Sequence, residues 1–172
     1  QKTSEAGGGE GWSGRHHSRP AQQRGRLLDE AIDVASIFIS EGEIVSTEGL
    51  RSPEQVYYAE GDAFASIPLY VLTNGYTASA SEIVSGALQD YQRAILVGET
   101  TFGKGLVQTI SPLSNGGALK ITTAVYLTPD GRNINETGIA PDVEAVDDPA
   151  TTEVDEGVEA VLDLISGVTA QE

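Results

Sequence analysis

The sequence predicts an α/β domain in which helices alternate with short strands. Two segments, one beginning at Leu27 and the other at Ser79, have apolar residues at helical spacing. Two short apolar runs, which end at Leu72 and Val97, have the length and composition of buried strands. This alternation is typical of a sheet that is covered by helices.

The first predicted element is an amphipathic helix. Its apolar positions are Leu27, Leu28, Ala31, Ile32, Val34, Ala35, Ile37 and Phe38. We expect Gly42 to end this helix, because glycine readily adopts the backbone conformation that follows a last helical turn. Residues 43–47 and 55–60 then predict a hairpin-like pair of strands, and residues 69–72 predict a buried strand.

A second helix is predicted from about Ser79 to Tyr91. Its apolar face consists of Ile83, Val84, Ala87 and Leu88. The remaining predicted elements are strands at 94–97, 106–110, 118–127 and 141–143 and a terminal helix at 158–165. A turn at residues 115–117, Asn-Gly-Gly, separates the two longest strands and favours a hairpin there.

The composition limits the kinds of partner and site. The chain has 172 residues, enough for one domain, and its formal net charge is −16. It has no basic stripe that could neutralise phosphates, so we expect no nucleic-acid partner. It has no cysteine, and no acidic run has the spacing of a calcium loop, so we predict no metal site and no cofactor. No apolar run is long enough to span a bilayer.

Three segments differ in composition. Residues 1–26 contain no Leu, Ile, Val, Phe or Tyr, and we interpret them as an aberrant or disordered N-terminal segment that is not a signal peptide. Residues 27–146 carry the α/β pattern and form the expected core. Residues 147–172 are an acidic segment with the terminal helix, and we interpret their acids as a solvated surface.

The densest chemical signal is residues 77–82, Thr-Ala-Ser-Ala-Ser-Glu, which follow a predicted strand and an Asn-Gly pair. A tight turn there leads directly into a helix, whose first N–H groups are unpaired and can stabilise an oxyanion. Ser79 is therefore a candidate nucleophile. The competing interpretation is a capping box formed by Ser79 and Glu82, and the spacing alone favours the cap.

A nucleophilic serine needs a base. Both histidines lie in residues 1–26, so a Ser/His/Asp triad is poorly supported. Lys120 lies in an alternating strand and is expected to face solvent, whereas Lys104 lies between two glycines in a turn. A lysine acts as a base only when it is neutral, and Phe102 and Leu106 are candidates for the apolar surroundings that would desolvate Lys104. The competing interpretation of Lys104 is an ordinary surface lysine.

Several segments together match the pattern of a known family. They are Ala78-Ser79-Ala80-Ser81-Glu82-Ile83, Gly86–Asp90, Val97–Glu99, Thr101–Gly105 with Val107-Gln108, Leu119–Thr123, Tyr126–Pro129, Gly131-Arg132 and Gly138–Asp142. On these segments, residues 27–144 resemble the C-terminal processing peptidases, also called tail-specific proteases. The resemblance implies a crotonase/Clp-protease-like core of mixed sheet and helices, which here is incomplete at its N-terminus.

The resemblance also implies a reaction. The family consists of serine endopeptidases that cleave protein substrates near their C-termini through a Ser/Lys dyad. By match to the family motif, Ser79 would be the nucleophile, Lys104 the base, and Gln108 a residue that orients the lysine. The expected partners are protein or peptide C-termini, and the expected location is extracytoplasmic, in the bacterial periplasm or cell envelope.

The remaining site residues follow from the same resemblance. The backbone N–H of Ala80 would form one half of the oxyanion hole, and Gly25 occupies the place of a glycine that supplies the other half. Asp90 matches a family acid to which we assign a structural or supporting role. The family normally has Asp-Leu-Arg-x-Asn-Pro-Gly-Gly before Leu27, which is missing here, and no PDZ domain is found in the chain.

A shift of reading frame would explain this departure. Suitable codons for residues 19–23 read, in the shifted frame, as Asp-Leu-Arg-Ser-Asn, so we interpret residues 1–24 as a possible out-of-frame translation. The alternative is an unrelated polar tail. The alternative function is accordingly a catalytically impaired remnant, or a module of the same fold that holds peptides by strand addition without cleaving them.

Overall fold

A computed structural model describes residues 26–49, 53–61, 64, 67–148, 150 and 155–167. The elements are α1 (Arg26–Ser36), β1 (Glu43–Glu48), β2 (Gln55–Tyr58), β3 (Tyr70–Thr73), α2 (Ala80–Asp90), β4 (Ile95–Gly98), β5 (Leu106–Pro112), β6 (Ala118–Leu127), β7 (Val143–Glu144) and α3 (Glu156–Ser166). The predicted α/β class is confirmed, and the predicted elements appear in the predicted order. Residues 1–25 of the N-terminal segment, including Gly25, lie outside the described residues, and Arg26 begins α1.

Two sheets organise the strands. The first has the order β2-β1-β6-β5 and all its pairs are antiparallel. The second has the order β3-β4-β7 and is parallel. The connection from β3 to β4 runs through α2, which is the βαβ arrangement that places a helix N-terminus beyond the carboxyl end of a strand.

The apolar face of α2 enters the core as predicted. Ile83, Ala87 and Leu88 are at most 3% exposed, and Val84 packs against the same cluster from its edge. Buried residues of α1, β1 and β4 complete this cluster, so α2 is held along its length by apolar contacts. The rigid packing of α2 fixes the position of its first turn, where the candidate site lies.

Helix α1 is shorter than predicted, because it ends at Ser36 and not at Gly42. The N–H groups of Ile37 and Phe38 bond to carbonyls only three residues back, which tightens and closes the helix. The β3 strand is also less buried than predicted, since Leu72 is 47% exposed. Within the described ranges, no helix combines the length and apolarity needed to cross a bilayer.

Candidate active site

Ser79 occupies a strained position between β3 and α2. It is the N-cap of α2 and has φ 61° and ψ −116°, a backbone conformation that side-chain-bearing residues rarely adopt. Such conformations cost about 1–3 kcal/mol and persist only where the surrounding structure holds them. The strain is the kind of observation that points to a functional residue at this turn.

The turn that leads into Ser79 is held by Asn74. The Asn74 side-chain oxygen accepts a hydrogen bond from the Tyr76 N–H at 3.0 Å, and the Asn74 carbonyl accepts one from the Thr77 N–H at 2.9 Å. The Thr77 hydroxyl in turn accepts the Asn74 N–H at 3.1 Å. These reciprocal bonds fix the chain reversal, so the start of α2 has a defined direction.

Ala80 is the first residue of α2, and its N–H has no hydrogen-bond partner among the residues that the structure describes. A helix N-terminus leaves its first N–H groups unpaired and carries a partial positive charge. The Ala80 N–H therefore suits the stabilisation of an oxyanion that forms next to Ser79. Gly25, the predicted second donor, lies outside the described residues.

Glu82 is fully buried and receives four hydrogen bonds. Its Oε2 atom accepts the backbone N–H groups of Ser79 and Lys104, both at 2.8 Å. Its Oε1 atom accepts the Thr101 hydroxyl and the Gly103 N–H, both at 2.6 Å. Four donors match the acceptor capacity of one carboxylate, so the cost of burying it is offset by hydrogen bonding. One side chain thus joins the serine turn to the lysine segment.

The predicted capping box and the candidate nucleophile are therefore compatible. Glu82 reaches back to the Ser79 N–H, as the box requires. The same carboxylate extends this role to the segment of residues 101–104, which lies far along the chain. The sequence pattern indicates Glu82 only as a cap and gives no indication of a role for Thr101. The one local signal was an acidic residue beside the apolar face of α2, and a single sequence does not show what it bonds to.

The segment of residues 101–105 alternates between buried and exposed positions. Residues 101, 103 and 105 are buried, and residues 102 and 104 are exposed. Gly103 has φ +85°, and a Cβ atom there would lie 2.9 Å from the Gly138 nitrogen. The Gly103 carbonyl accepts the Glu136 N–H at 2.8 Å. The glycines thus allow a close approach of backbone to backbone at this turn.

We predicted that Phe102 and Leu106 shield Lys104 from water. Among the described residues this prediction is wrong. Phe102 is 64% exposed, Leu106 is 37% exposed, and Lys104 is itself exposed. The alternation explains this result, because Glu82 holds residues 101 and 103 inward and so turns residues 102 and 104 outward. Gln108 is also exposed, near the start of β5. Lys120 faces solvent, as predicted.

Asp90 lies at the other end of α2 from Ser79. An α-helix of 11 residues is about 16 Å long, so Asp90 is remote from the serine turn. Its carboxylate pairs with Arg132 and accepts the Asp130 N–H at 2.9 Å. Asp90 therefore fastens the turn that follows β6 to the C-terminal end of α2.

Comparison with known proteins places this arrangement in a family. The sequence profile of peptidase family S41 matches residues 22–145. The chain is 51% identical over 121 residues to the carboxy-terminal-processing protease of Bartonella bacilliformis. The aligned residues cover 69% of this chain and 28% of that protein. It is 45% identical over 152 residues to the carboxyl-terminal-processing protease of Synechocystis sp., and the aligned residues cover 85% of this chain and 35% of that protein.

The solved structures agree. The photosystem II D1 C-terminal processing protease superposes with a TM-score of 0.68 at 41% sequence identity, over 78% of this chain and 35% of that one. The chain thus spans about a third of the length of these relatives. The matched residues include both the serine turn and the lysine segment. This chain therefore belongs to peptidase family S41 and is a member of the C-terminal processing peptidases.

Proposed function

We propose that this chain carries the catalytic residues of a serine endopeptidase that cleaves protein substrates near their C-termini through a Ser/Lys dyad. The observation that carries the proposal is the bridging of Ser79 and Lys104. Both backbone N–H groups donate to the same oxygen of Glu82, which keeps the strained serine turn and the lysine segment side by side. Positioning of this kind is a main source of catalytic rate.

The proposed reaction is acyl transfer. The Ser79 Oγ atom attacks the scissile carbonyl carbon, and the Lys104 Nζ atom takes the hydroxyl proton. The Ala80 N–H donates to the oxyanion that forms. Lys104 then returns the proton to the leaving amine as the C–N bond breaks. Water, deprotonated by the same lysine, attacks the acyl carbon, and the lysine passes that proton to the Ser79 Oγ atom as the ester bond breaks. Gln108 orients Lys104 from the start of β5.

In this mechanism, bound substrate contributes to the surroundings of the base, Lys104. Lys104, Phe102 and Leu106 are exposed, so the lysine ammonium is solvated when no substrate is present. A bound polypeptide that covers Phe102 and Leu106 removes water from the surroundings of Lys104.

The proposed location and partners follow from the relatives. A 42% identical relative from Tetradesmus obliquus is a chloroplastic C-terminal processing peptidase, and others are bacterial. We place this chain in an extracytoplasmic compartment and propose protein C-termini as its substrates. Asp90 has a supporting role, because it holds the fold around α2 from a distance.

The test is cleavage of an unfolded protein that ends in apolar residues. We expect the parent chain to cleave it and both Ser79→Ala and Lys104→Ala to be inactive. The matched control is Lys120→Ala, which removes the exposed lysine of β6 and should retain parental activity. If folded Ser79→Ala cleaves as fast as the parent chain, Ser79 is not the nucleophile.

The second candidate function is the non-cleaving module. It is favoured by the position of the second oxyanion donor, Gly25, in a segment that lacks the family's Asn-Pro-Gly-Gly turn. Loss of one oxyanion donor costs roughly a hundredfold to a thousandfold in rate. If the parent chain is folded and binds the substrate but does not cleave it, this second function replaces the first.

A further inference from the structure

Two Asn-Gly pairs of this chain lie in turns. Asn74-Gly75 lies in the turn that leads into Ser79, and Asn115-Gly116 lies between β5 and β6. Asparagine that is followed by glycine is prone to deamidation, because glycine has no Cβ atom to hinder attack of its backbone nitrogen on the asparagine side chain. The same chemistry is therefore available at two places in one fold.

The two asparagine side chains are held in the same way. Asn74 Oδ1 accepts the Tyr76 N–H, and Asn115 Oδ1 accepts the Gly117 N–H, each at 3.0 Å. Each bond closes a ring that contains the asparagine Cγ atom and the nitrogen of the next residue, so the two reacting atoms share one tight turn. The donated N–H also polarises the side-chain carbonyl, which favours attack on its carbon atom.

The two attacking nitrogens differ. The Gly116 N–H donates to the Leu113 carbonyl at 3.0 Å, so its proton is held. The Gly75 N–H has no hydrogen-bond partner among the residues that the structure describes, and Gly75 is exposed to water. Asn74 Oδ1 also has a second donor, the Thr77 hydroxyl at 3.4 Å. A backbone nitrogen attacks only as its proton leaves, so the Gly75 nitrogen is the more available nucleophile.

We propose that Asn74 deamidates spontaneously and that the modified turn displaces Ser79. The Gly75 nitrogen forms a bond to the Asn74 Cγ atom. The Cγ–Nδ2 bond then breaks, and the proton of the Gly75 nitrogen passes to the departing nitrogen, which leaves as ammonia. The product is a cyclic succinimide, which solvent water opens at either carbonyl to give aspartate or isoaspartate.

Isoaspartate changes the path of the chain into Ser79. The main chain of this product runs through the Cβ and Cγ atoms of residue 74, so it is longer by a methylene group, and the former main-chain carbonyl becomes a side-chain carboxylate. In the unmodified chain that carbonyl accepts the Thr77 N–H at 2.9 Å and closes the chain reversal. Its removal from the main chain alters the direction in which the chain enters α2, and a small displacement of a nucleophile costs a large factor in rate.

The test is ageing of the purified full chain in mildly alkaline buffer. Trypsin places Asn74 in the peptide 52–93 and Asn115 in the peptide 105–120, and mass spectrometry measures the deamidation of each. We expect Asn74 to react about fivefold faster than Asn115 in the folded chain, because the Gly116 N–H must first break a hydrogen bond. In urea the two rates should become similar. Equal rates in the folded chain, or a ratio that urea leaves unchanged, would overturn the proposal.

Gly75→Ala is the control variant. A Cβ atom on Gly75 meets nothing within 4 Å, so the fold accommodates it, yet it hinders the attacking nitrogen. Asn74 should then deamidate more slowly than Asn115, whose own rate should not change. If Asn74 still reacts faster in this variant, the Gly75 nitrogen is not the attacking group and the proposal is wrong.

The displacement of Ser79 has its own readout, which does not depend on cleavage. Chromatography separates the aspartate and isoaspartate peptides, and the NMR resonances of the Ser79 and Ala80 amides should move in proportion to the isoaspartate content. Cleavage, which rests on the proposed function, should fall in the same proportion, while Gly75→Ala should keep it. Unmoved resonances, or full cleavage by the modified chain, would overturn the displacement. Moved resonances in a chain that does not cleave even when fresh would support the displacement and count against the proposed peptidase.

Discussion

The Oε2 atom of Glu82 accepts a hydrogen bond from the Lys104 N–H at 2.8 Å. The two residues belong to different parts of the fold, one to the first turn of α2 and the other to the segment before β5. Both carboxylate oxygens of Glu82 bond to this segment, because Oε1 accepts the Gly103 N–H and Oε2 accepts the Lys104 N–H. Two bonds to different oxygens restrict the segment more than one bond would. The lysine segment is therefore positioned by the helix that carries Ser79.

Replacement of Glu82 by glutamine should be destabilising in either orientation of the amide. Each carboxylate oxygen faces at least one backbone N–H, so the amide NH2 group meets a donor whichever way it points. We expect a loss of about 1–3 kcal/mol in the free energy of unfolding, measured in urea. Cleavage should fall roughly tenfold to a hundredfold, because the serine and lysine segments separate.

The matched control for this change is Glu54→Gln, at an exposed position. It makes the same chemical substitution and should leave both the unfolding free energy and the cleavage rate unchanged. Parental stability of folded Glu82→Gln would show that the four hydrogen bonds do not hold the two segments together.

The strain at Ser79 predicts a difference between two inactive variants. Both Ser79→Ala and Ser79→Gly remove the hydroxyl, but only glycine adopts φ 61° without strain. The relief exceeds the entropy that glycine adds to the unfolded chain, so Ser79→Gly should be more stable than Ser79→Ala by about 1 kcal/mol. Thermal unfolding of the two proteins measures this difference. Equal midpoints would mean that the turn relaxes without cost.

Replacing Gly103 by alanine should cost more free energy of unfolding than its positive φ alone would cause, because the Gly138 backbone lies close to it. Gly103 and Gly116 both have φ +85°, but a Cβ atom on Gly103 meets the Gly138 nitrogen, while one on Gly116 meets open space. Gly116→Ala should cost about 1 kcal/mol, and Gly103→Ala about 1–3 kcal/mol more. Urea unfolding of both variants checks this, and similar losses would indicate that the 134–138 loop moves away freely.

The pairing of Asp90 with Arg132 predicts a coupled loss of stability. The Asp90 side chain is 3% exposed, so Arg132→Ala leaves a nearly buried carboxylate with the Asp130 N–H as its one remaining partner among the described residues. We expect roughly 1–3 kcal/mol of destabilisation. The double variant with Asp90→Ala should lose less than the sum of the single variants. Strict additivity of the two losses would contradict a direct interaction.

Sequence reasoning located the elements and the serine turn because both depend on local patterns. Apolar spacing placed α2, and the Asn74-Gly75 pair placed the turn before Ser79. Three of the four bonds of Glu82 were not predictable, because they depend on how a segment about 20 residues away packs against α2. The exposure of Phe102 was missed for the same reason, since it follows from the inward direction of its neighbours.

Thr101 provides the last test of the Glu82 arrangement. Its hydroxyl donates to Glu82 at 2.6 Å and accepts the Ile139 N–H at 2.8 Å. Thr101→Val preserves the shape but leaves a buried N–H and part of a buried carboxylate without partners, which should cost about 1–3 kcal/mol. Thr122→Val, on the exposed face of β6, makes the same substitution and should change stability by less than about 0.5 kcal/mol. Equal unfolding free energies for the two variants would rule out a structural role for the Thr101 hydroxyl. A loss confined to Thr101→Val, with a matching loss of cleavage, would place Thr101 in the support of the dyad.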